Sequence, residues 1–295
     1  RGLGDVYKRQ SMSWKEDRLR PTQPYFVFDT DCFYQEVYLR QGISHFYTYR
    51  VGDAKKIRVV PDGCIDFFFE YDGRQMKGFV CGTPIVYKEQ DTPKLQDVFG
   101  VRFMPGVQPE LIQATMKEVF DKQVPVEPLL KGDSHWIERL AGETDFYQRI
   151  RVFLEAYTRA EKKKEVFLGK KELVLSVKQM VYNSDGKIKV SELQENTGYS
   201  KRYINKVFIE EMGFSPKTFC KIIQFQRALE FLNYGAPEKM TDAAVKLGYY
   251  DQSQFIRDFT KYAGITPRKY LKLVESEHYK NKVTNTNSFG NERKL

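Results

Sequence analysis

Apolar residues in the first third of the chain fall in short runs that Gly, Asp and Pro separate. The runs are rich in Val, Ile, Phe and Tyr, which favour β-strands. They cover residues 32–39, 43–51, 57–69, 76–87 and 95–104. Asp72-Gly73 is typical of a hairpin turn, because glycine tolerates the positive φ that such a turn needs. The spacing predicts a small antiparallel β sandwich or barrel between Pro24 and about Pro105.

Beyond Pro109 the apolar spacing changes from that of strands to that of helices. A first helical stripe consists of Leu111, Ile112, Met116, Val119 and Phe120. A second stripe consists of Phe146, Ile150, Phe153, Leu154 and Tyr157. The second helix either packs on its own β domain or forms a dimerisation face, and the sequence favours neither. The charged run that follows predicts an interdomain linker at 161–169.

The C-terminal third contains a weak internal repeat. The first copy consists of Gly198-Tyr199-Ser200, Ile204, Phe208, Gly213, Ser215-Pro216 and Phe219. The second copy consists of Gly248-Tyr249, Phe255, Phe259, Gly264, Thr266-Pro267 and Tyr270. Equivalent residues are 51 positions apart from Ile204 and Phe255 onward, whereas the Gly-Tyr pairs are 50 apart. A repeat of this kind predicts two copies of one structural unit.

Each copy begins like a helix-turn-helix unit. Short first helices are predicted at 191–195 and 241–247, and Ser191 with Gln194 forms a capping-box pattern in the first copy. Glycine then ends each helix at a position that suits a positive φ, at Gly198 and Gly248.

The second helix of each unit is predicted to begin at an N-cap, Ser200 in the first copy and Asp251 in the second. Its core-facing residues are Ile204, Val207 and Phe208, and then Phe255, Ile256 and Phe259. Arg, Lys, Asn and Gln pair with base edges in the major groove, and Ser and Lys contact phosphates. We therefore expect DNA contacts from the outward-facing residues Ser200, Lys201, Arg202, Asn205, Lys206, Asp251, Gln252, Ser253, Gln254 and Arg257.

Residues 215–234, between the two units, are predicted to form one helix. Five apolar residues and one glutamine form a stripe at helical spacing: Phe219, Ile222, Ile223, Gln226, Leu229 and Leu232. Such a helix spans roughly 30 Å at about 1.5 Å per residue, which is close to the roughly 34 Å of one turn of B-DNA. We expect it to hold two recognition helices in adjacent major grooves on one DNA face.

The distribution of charge favours a polyanionic partner. The 295-residue chain has a net charge of +9. Residues 165–295 carry 22 Lys and Arg against 15 Asp and Glu, a net charge of +7. Most of the basic excess therefore lies in the part that contains the repeat.

Few residues suit catalysis or metal binding. The three histidines, His45, His135 and His278, are far apart, and the four cysteines show no C-x-x-C spacing. We expect no metal, no cofactor and no enzymatic activity, so a cupin-type enzyme or a fused DNA-repair methyltransferase is disfavoured. No apolar run approaches the roughly 18 residues of a membrane span. No signal peptide is apparent, which favours a cytoplasmic protein.

Residues 170–275 resemble the AraC/XylS family of bacterial transcription regulators. The resemblance is most specific at Gly248-Tyr249, Ser253, Phe255, Phe259, Gly264 and Thr266-Pro267. It implies a seven-helix DNA-binding domain with two helix-turn-helix units joined by a long helix, and firmer base contacts from the first unit. Carried over by position, the resemblance implies recognition helices at 200–211 and 251–261. Gln194 stands where the family prefers a small Ala, and Ala243 stands where Ile is usual.

The N-terminal part resembles an uncharacterised β domain that precedes some of these regulators. The resembling segments are Pro61-Asp62-Gly63-Cys64-Ile65-Asp66 and Gly100-Val101-Arg102-Phe103 with Pro105-Gly106. The resemblance implies that such a domain senses small molecules, dimerises, or both. Asp62, Asp66 and Arg102 have two open interpretations: turn capping with one internal ion pair, or ligand binding.

These patterns together predict an α+β protein of two domains. The first, at 24–160, is a small antiparallel β sandwich or barrel followed by helices, and the second, at 170–275, is an all-α domain with two helix-turn-helix motifs. Residues 1–23 and 276–295 are expected to be disordered tails, and residues 1–10 look like an adapter-derived artefact.

The predicted function is sequence-specific, DNA-binding transcription regulation. The expected partners are double-stranded DNA, RNA polymerase, a second copy of the chain and a small-molecule effector. The alternative is a protein-binding module whose helix-turn-helix pair no longer reads DNA.

Overall fold

The computed structural model describes residues 20–50, 56–71, 74–91, 97–161, 169–235 and 240–286. The first part of the chain is rich in strands and the second part is helical, which confirms the predicted α+β class. The predicted turn at Asp72-Gly73, most of the predicted linker and the outer parts of both predicted tails lie outside the described residues.

The strands of the described ranges form two sheets. Their bounds are β1 (Cys32–Arg40), β2 (Ile43–Arg50), β3 (Lys56–Val59), β4 (Ile65–Tyr71), β5 (Met76–Gly82), β6 (Lys88–Asp91), β7 (Asp97–Phe103), β8 (Gln123–Pro125) and β9 (Val283–Thr286). One sheet has seven strands in the order β8-β5-β4-β7-β2-β1-β9, and β3 pairs with β6 in a separate ribbon. The neighbouring strands are antiparallel except for β1 and β9, which are parallel.

The predicted strand at 57–69 is two strands, β3 and β4. Pro61 has no N–H to donate to a sheet, and Gly63 adopts a φ of +74°, so the chain turns between them. The Gly63 N–H and the Asp62 N–H both donate to Thr83 Oγ1 at 3.0 Å, which fixes the turn against the end of β5. The other four predicted strands correspond to β1, β2, β5 and β7, whereas β6, β8 and β9 were not predicted.

Helices cover most of the second half of the chain. Their bounds are α1 (Pro24–Phe28), α2 (Met116–Val119), α3 (His135–Gly142), α4 (Phe146–Glu161), α5 (Lys170–Asn183), α6 (Val190–Thr197), α7 (Lys201–Met212), α8 (Pro216–Tyr234), α9 (Met240–Lys246), α10 (Gln252–Ala263), α11 (Pro267–Ser276) and α12 (Tyr279–Lys282). A short 3₁₀ helix spans Glu127–Leu129. Within the described ranges, none of these helices has the length and apolar character needed to cross a bilayer.

The helical stripe predicted from Leu111 to Phe120 is largely wrong. Only α2 is helical there, and it begins after Thr115, whose side chain accepts a hydrogen bond from the Glu118 N–H. Leu111 and Ile112 are buried outside any helix, and Ile112 forms an isolated β-bridge with Leu130. The apolar spacing there reflects burial of a loop and not a continuous helix.

The apolar stripe of α4 packs on the seven-stranded sheet of its own domain. The Phe153 ring lies 5.6 Å from the Phe67 ring and 6.1 Å from the Phe46 ring. The Tyr157 ring lies 5.4 Å from the Phe103 ring. Of the two open interpretations of this stripe, packing within the chain is the one observed, so the stripe is not free to form a dimerisation face.

The helical domain contacts the turn that follows β7. Lys178 Nζ donates a hydrogen bond to the Gly106 carbonyl at 2.7 Å, and Tyr182 OH donates one to the Pro105 carbonyl at 2.7 Å. Gly106 has a φ of +74°, and a Cβ there would lie 2.7 Å from Lys178 Cδ. The two predicted domains therefore pack closely at this point.

The inner end of the predicted N-terminal tail is folded, which corrects the prediction for residues 20–23. Thr22 N donates to Gln226 Oε1 at 2.8 Å, and Gln226 Nε2 donates to the Pro61 carbonyl at 2.8 Å. Gln23 Nε2 donates to the Val60 carbonyl at 2.7 Å. These long-range bonds hold the segment between the β domain and α8.

The predicted C-terminal tail is also wrong for the part that the structure describes. It contains α12 and β9, and β9 adds to the edge of the seven-stranded sheet beside β1. Tyr279 is buried, and its ring lies 5.3 Å from the Phe28 ring. The C-terminal segment thus returns to the N-terminal domain, a contact that no local pattern indicates.

Candidate nucleic-acid interface

The first helix-turn-helix unit consists of α6 and α7. Gly198 ends α6 with a φ of +73°, as the sequence predicts. The predicted capping box of Ser191 and Gln194 is wrong, because α6 begins one residue earlier and Glu192 Oε2 accepts from the Lys189 N–H at 2.8 Å. The first turn of α6 is therefore closed by a glutamate.

The second unit consists of α9 and α10 and repeats this arrangement. Gly248 adopts a φ of +77° after α9, which confirms the predicted left-handed position. Gln224 Nε2, on α8, donates to the Leu247 carbonyl at 3.1 Å and to the Gly248 carbonyl at 3.3 Å. The turn of this unit is thus attached to the long helix.

The predicted N-caps of both recognition helices are confirmed. Ser200 Oγ accepts from the Tyr203 N–H at 3.3 Å at the start of α7, and Asp251 Oδ1 accepts from the Gln254 N–H at 2.6 Å at the start of α10. These bonds satisfy backbone donors that the helix leaves unpaired. Gly213 and Gly264 end α7 and α10 with positive φ.

The core face of each recognition helix is nearly as predicted. The buried residues are Ile204, Val207, Phe208, Phe255 and Phe259. Ile256 is only half-buried, so its assignment to the core is wrong. It lies at the edge of the buried stripe, between the buried Phe255 and the exposed Arg257.

The predicted contact residues of α7 share one exposed surface. They are Ser200, Lys201, Arg202, Asn205 and Lys206. Lys206 Nζ lies 3.9 Å from a Glu210 carboxylate oxygen one turn later, an exposed pair of small energy that does not hold Lys206 away from a ligand. The first turns of α7 therefore present three cations and one amide to solvent.

The predicted contact residues of α10 differ in how accessible they are to DNA. Ser253 and Arg257 are exposed, whereas Gln252 is half-buried. Gln254 Oε1 accepts from the Tyr250 N–H at 3.1 Å, so this side chain turns back to the start of its own helix. Gln254 and Asp251 together close the N-terminus of α10.

Exposed tyrosines beside both N-caps did not enter the sequence prediction. The Tyr199 and Tyr203 rings stack with centroids 5.2 Å apart at the start of α7, and both are exposed. Tyr250 precedes the N-cap of α10 and is 92% exposed. The extra residue in the second turn is the signal that could have found it, because it places Tyr250 where Tyr199 stands in the first copy.

The long helix α8 begins and ends where the sequence predicts. Ser215 is its N-cap and accepts from the Thr218 N–H at 3.1 Å, and the helix has 19 residues. Its predicted stripe is buried throughout: Phe219, Ile222, Ile223, Gln226, Leu229 and Leu232. Lys221 Nζ on α8 forms an ion pair with Asp258 Oδ2 on α10 at 2.6 Å, which ties the second recognition helix to the long one.

A second candidate site lies in the β domain, in a cavity of about 830 Å³. Arg102 Nε donates to Asp66 Oδ1 at 2.9 Å, and Asp62 Oδ2 lies 3.7 Å from Arg102 Nε. Asp62 Oδ1 also accepts from the Cys64 N–H at 2.9 Å. The predicted turn cap and internal ion pair are therefore both present, and the same three charged residues also line the cavity.

Burial controls the charge state of this cluster. Burial raises the pKa of Asp66, while Arg102 opposes the rise. Burial alone lowers the pKa of Arg102, but attraction to Asp66 and Asp62 holds it well above its ordinary value. Arg102 therefore stays cationic. Among the described residues, no group of three or more His, Cys, Asp and Glu side chains is placed to hold a metal ion.

Two family models match different parts of the chain. A helix-turn-helix domain matches residues 193–273, which include both units and α8. A domain of unknown function, DUF6597, matches residues 37–125, which cover most of the seven-stranded sheet.

Curated relatives match a stretch of this chain that is about as long as either domain match. Uncharacterized HTH-type transcriptional regulators of Staphylococcus aureus strains MSSA476 and MRSA252 are each 30% identical over 83 residues. The match covers 28% of this chain and 11% of each relative's length. This chain therefore spans only a small part of the relatives that it matches.

Solved structures give matches with low overall superposition scores. A probable AraC family transcriptional regulator from Rhodopseudomonas palustris is 29% identical, with a TM-score of 0.32 over 35% of this chain and 97% of that one. ToxT from Vibrio cholerae is 11% identical, with a TM-score of 0.44 over 77% of this chain and 97% of that one.

The matched domain is a helix-turn-helix domain, and the relatives that share this similarity are named as transcriptional regulators. The two units, their left-handed glycines and the long helix between them occupy the matched residues. Residues 193–273 are therefore similar to a helix-turn-helix domain of the kind found in AraC-type regulators, and residues 37–125 ahead of them match the DUF6597 domain.

Proposed function

We propose that this chain is a sequence-specific DNA-binding transcription regulator that places α7 and α10 in adjacent major grooves on one face of DNA. The observation that carries the proposal is the presence of two similarly built units whose recognition helices both expose their N-terminal turns. In helix-turn-helix proteins the N-terminal residues of the recognition helix contact base edges.

Contacts along α8 support simultaneous binding by both units. The Phe219 ring of α8 lies 5.8 Å from the Phe208 ring of α7. Near the middle of α8, the Phe225 ring lies 5.4 Å from the Phe259 ring of α10. A single helix therefore fixes the positions of α7 and α10 relative to each other, which favours binding of both to one DNA molecule.

The exposed residues divide into two expected roles. Arg202 and Asn205 on α7, and Arg257 on α10, have the side chains that pair with base edges. The residues expected to contact phosphates or sugars are Lys201, Lys206, Ser200, Ser253 and the half-buried Gln252. We assign Asp251 and Gln254 chiefly to helix capping, because their side chains already accept hydrogen bonds from the backbone.

Contacts between the β domain and α10 support regulation by an effector. The β3–β6 ribbon lines the cavity through Ile57, Val59 and Glu89. Just before β6, the Tyr87 ring contacts Gly264, where a Cβ would lie 2.9 Å from the ring. Tyr25 packs on Tyr87 with ring centroids 6.3 Å apart. A ligand that moves the ribbon would thus move the C-terminal end of the second recognition helix.

The experiment is a selection of binding sites from random DNA with the full chain, followed by fluorescence anisotropy on the selected site. Arg202→Ala should weaken specific binding by about 1–3 kcal/mol, roughly five- to 150-fold, if Arg202 reads a base. The matched control is Arg151→Ala, which removes an exposed arginine of α4 in the other domain. It should bind the selected site like the parent protein.

Salt dependence tests the phosphate contacts. The logarithm of affinity should fall with the logarithm of salt concentration by about 0.9 for each phosphate contact, and Lys201→Ala should reduce that slope by about 1. If the selection enriches no sequence, the pair of units serves a protein partner and the proposal is wrong. If Arg202→Ala weakens random and selected DNA equally, Arg202 is a phosphate contact.

The proposal also includes three partners, which are a second copy of the chain, RNA polymerase and a small-molecule effector. It includes a cytoplasmic location, where chromosomal DNA is found. The division into domains at 24–160 and 170–275, with a linker at 161–169, is also part of it. Sedimentation of the full chain with and without its DNA site tests the dimer.

A further inference from the structure

The cavity of the β domain lies against one face of the seven-stranded sheet. The alternation of strand residues sends Phe67, Phe99 and Phe103 to the helical side, and sends Tyr47, Phe68 and Arg102 to the cavity side. The β3–β6 ribbon and Phe26 of α1 enclose the opposite wall. At about 830 Å³ the cavity is in the range of sites that bind drug-sized molecules.

Aromatic rings form much of the cavity wall. Tyr47 and Tyr49 stack with an interplanar angle of 3° and centroids 6.2 Å apart. The Phe68 ring lies 6.4 Å from the Tyr49 ring, and the Phe26 ring lies 5.5 Å from it. Burial raises the pKa of Tyr49 well above its ordinary value, so its ring stays neutral. Such walls attract flat apolar groups and cations.

The charged residues of the cavity are mostly acidic. The carboxylates that line it are Asp62, Asp66, Glu70, Glu89 and Asp91, and the cations are Lys77 and Arg102. These five acids and two bases give a formal charge of −3, and Lys56, whose Nζ lies 3.5 Å from Glu89 Oε2, reduces it to −2. A carboxylate excess beside an aromatic wall is the environment that favours a positively charged ligand.

The cation at the base of the cavity is already neutralised. Arg102 bonds to Asp66 through two of its nitrogens and lies 3.7 Å from Asp62. Its guanidinium carbon also lies 5.6 Å from the centroid of the Phe26 ring and 5.5 Å from that of Tyr47. To pair with Arg102, an anionic ligand would have to displace a buried carboxylate and leave that carboxylate without its partner, which is unfavourable.

We propose that the cavity binds an organic cation with a flat apolar body, held by the rings of Tyr49 and Phe68 and by the carboxylate excess that includes Glu70. The ring faces contact the apolar body and the charge of such a ligand, and the carboxylates lower the cost of removing that charge from water. The proposal rests on the effector-sensing part of the function above, and it names the chemical class of the effector.

The test compares three probes that share an indole ring and differ in charge: tryptamine, tryptophol and indoleacetate. Binding to the full chain is measured by isothermal titration calorimetry at neutral pH. Tryptamine should bind roughly tenfold more tightly than tryptophol, and indoleacetate should bind more weakly than tryptophol. Equal affinities, tightest binding by indoleacetate, or no saturable binding of any probe would overturn the proposal.

Two variants separate charge from shape. Glu70→Gln should weaken tryptamine binding several-fold and leave tryptophol binding unchanged, a difference that a merely structural role would not produce. Tyr49→Leu should weaken both probes. The control is Glu138→Gln, an exposed carboxylate of α3 outside the cavity, which should change neither. If Glu70→Gln weakens all three probes alike, the charge of the site does not select the ligand and the proposal fails.

DNA binding by the ligand-free protein is measured on the same preparations. A chain that binds tryptamine selectively but selects no DNA sequence would refute the proposed regulator and leave the cavity assignment standing. A chain that selects DNA but binds no cationic probe would refute only the cavity assignment.

Discussion

Phe259 holds the second helix-turn-helix unit together, and its truncation is the sharpest test of the helix register. The side chain is fully buried on α10. Its ring lies 5.4 Å from Phe225 on α8, 5.8 Å from Phe255 one turn earlier and 5.4 Å from Tyr270 on α11. Three helices therefore meet at this one ring.

The substitution Phe259→Ala should destabilise the protein by about 3–5 kcal/mol. It removes a full ring from a site with no exposure, and aromatic partners that belong to three helices cannot all move in to fill the space. The ring contacts add roughly 0.5–1.5 kcal/mol for each aromatic pair beyond the area that is buried. Phe259→Leu should cost less, because it leaves a smaller cavity.

The assay is urea unfolding of the full chain, followed by far-ultraviolet circular dichroism. Val245→Ala is the matched control, because it truncates an apolar side chain of the same unit that is 75% exposed, and it should change stability by less than about 0.5 kcal/mol. A Phe259→Ala protein that unfolds at the parent's midpoint with the parent's slope would show that α10 is in a different register.

Further substitutions test the β domain and its contact with the helices. Gly100→Ala should lower stability by about 1–3 kcal/mol in thermal unfolding, because a Cβ there would lie 2.0 Å from Tyr47 Cζ; an unchanged melting temperature would contradict this packing. Arg102→Leu should cost about 3–5 kcal/mol at pH 7 by leaving Asp66 buried without its partner, and less at pH 5, because a buried carboxyl with a raised pKa takes up a proton as pH falls; equal losses at both pH values would argue against it. Burial lowers the pKa of Lys178 from 10.5 to about 8, so the unfolded chain holds more protons than the folded chain above pH 8, and stability should gain a rising contribution between about pH 8 and pH 10. Urea unfolding of Lys178→Met across that range should lack this contribution, and a parent-like pH profile would refute the assignment.

The helix-turn-helix units were predictable because their signals are local. Gly198 and Gly248 permit a left-handed residue, and Ser200 and Asp251 accept hydrogen bonds from N–H groups three residues later. The periodicity of apolar residues between these caps fixes which face is buried. Each of these interactions joins residues within one or two helical turns, so a stretch of about twenty residues contains all the information.

The structure differs from the sequence prediction where a local pattern is compatible with more than one conformation. The apolar spacing around Leu111 and Ile112 fits a helix, yet those residues are buried in a loop that pairs with Leu130. Gln254 has the chemistry of a base contact, but its side chain meets the backbone N–H of Tyr250. Tertiary packing chooses between such conformations, because the local pattern is compatible with both.

The amino-acid pattern was sufficient for the class of fold, for the double helix-turn-helix domain with its caps and long central helix, and for the exposure of Arg202, Asn205 and Arg257. It could not specify that β9 joins β1, that Thr22 bonds to Gln226, or that Arg102 and Asp66 line a cavity beneath a two-stranded ribbon. Those features join residues that are tens to hundreds of positions apart, and their energies depend on which surfaces the whole chain brings together. Helix caps and periodicity act within a few residues, whereas strand pairing, domain packing and cavity charge exist only after the chain has folded.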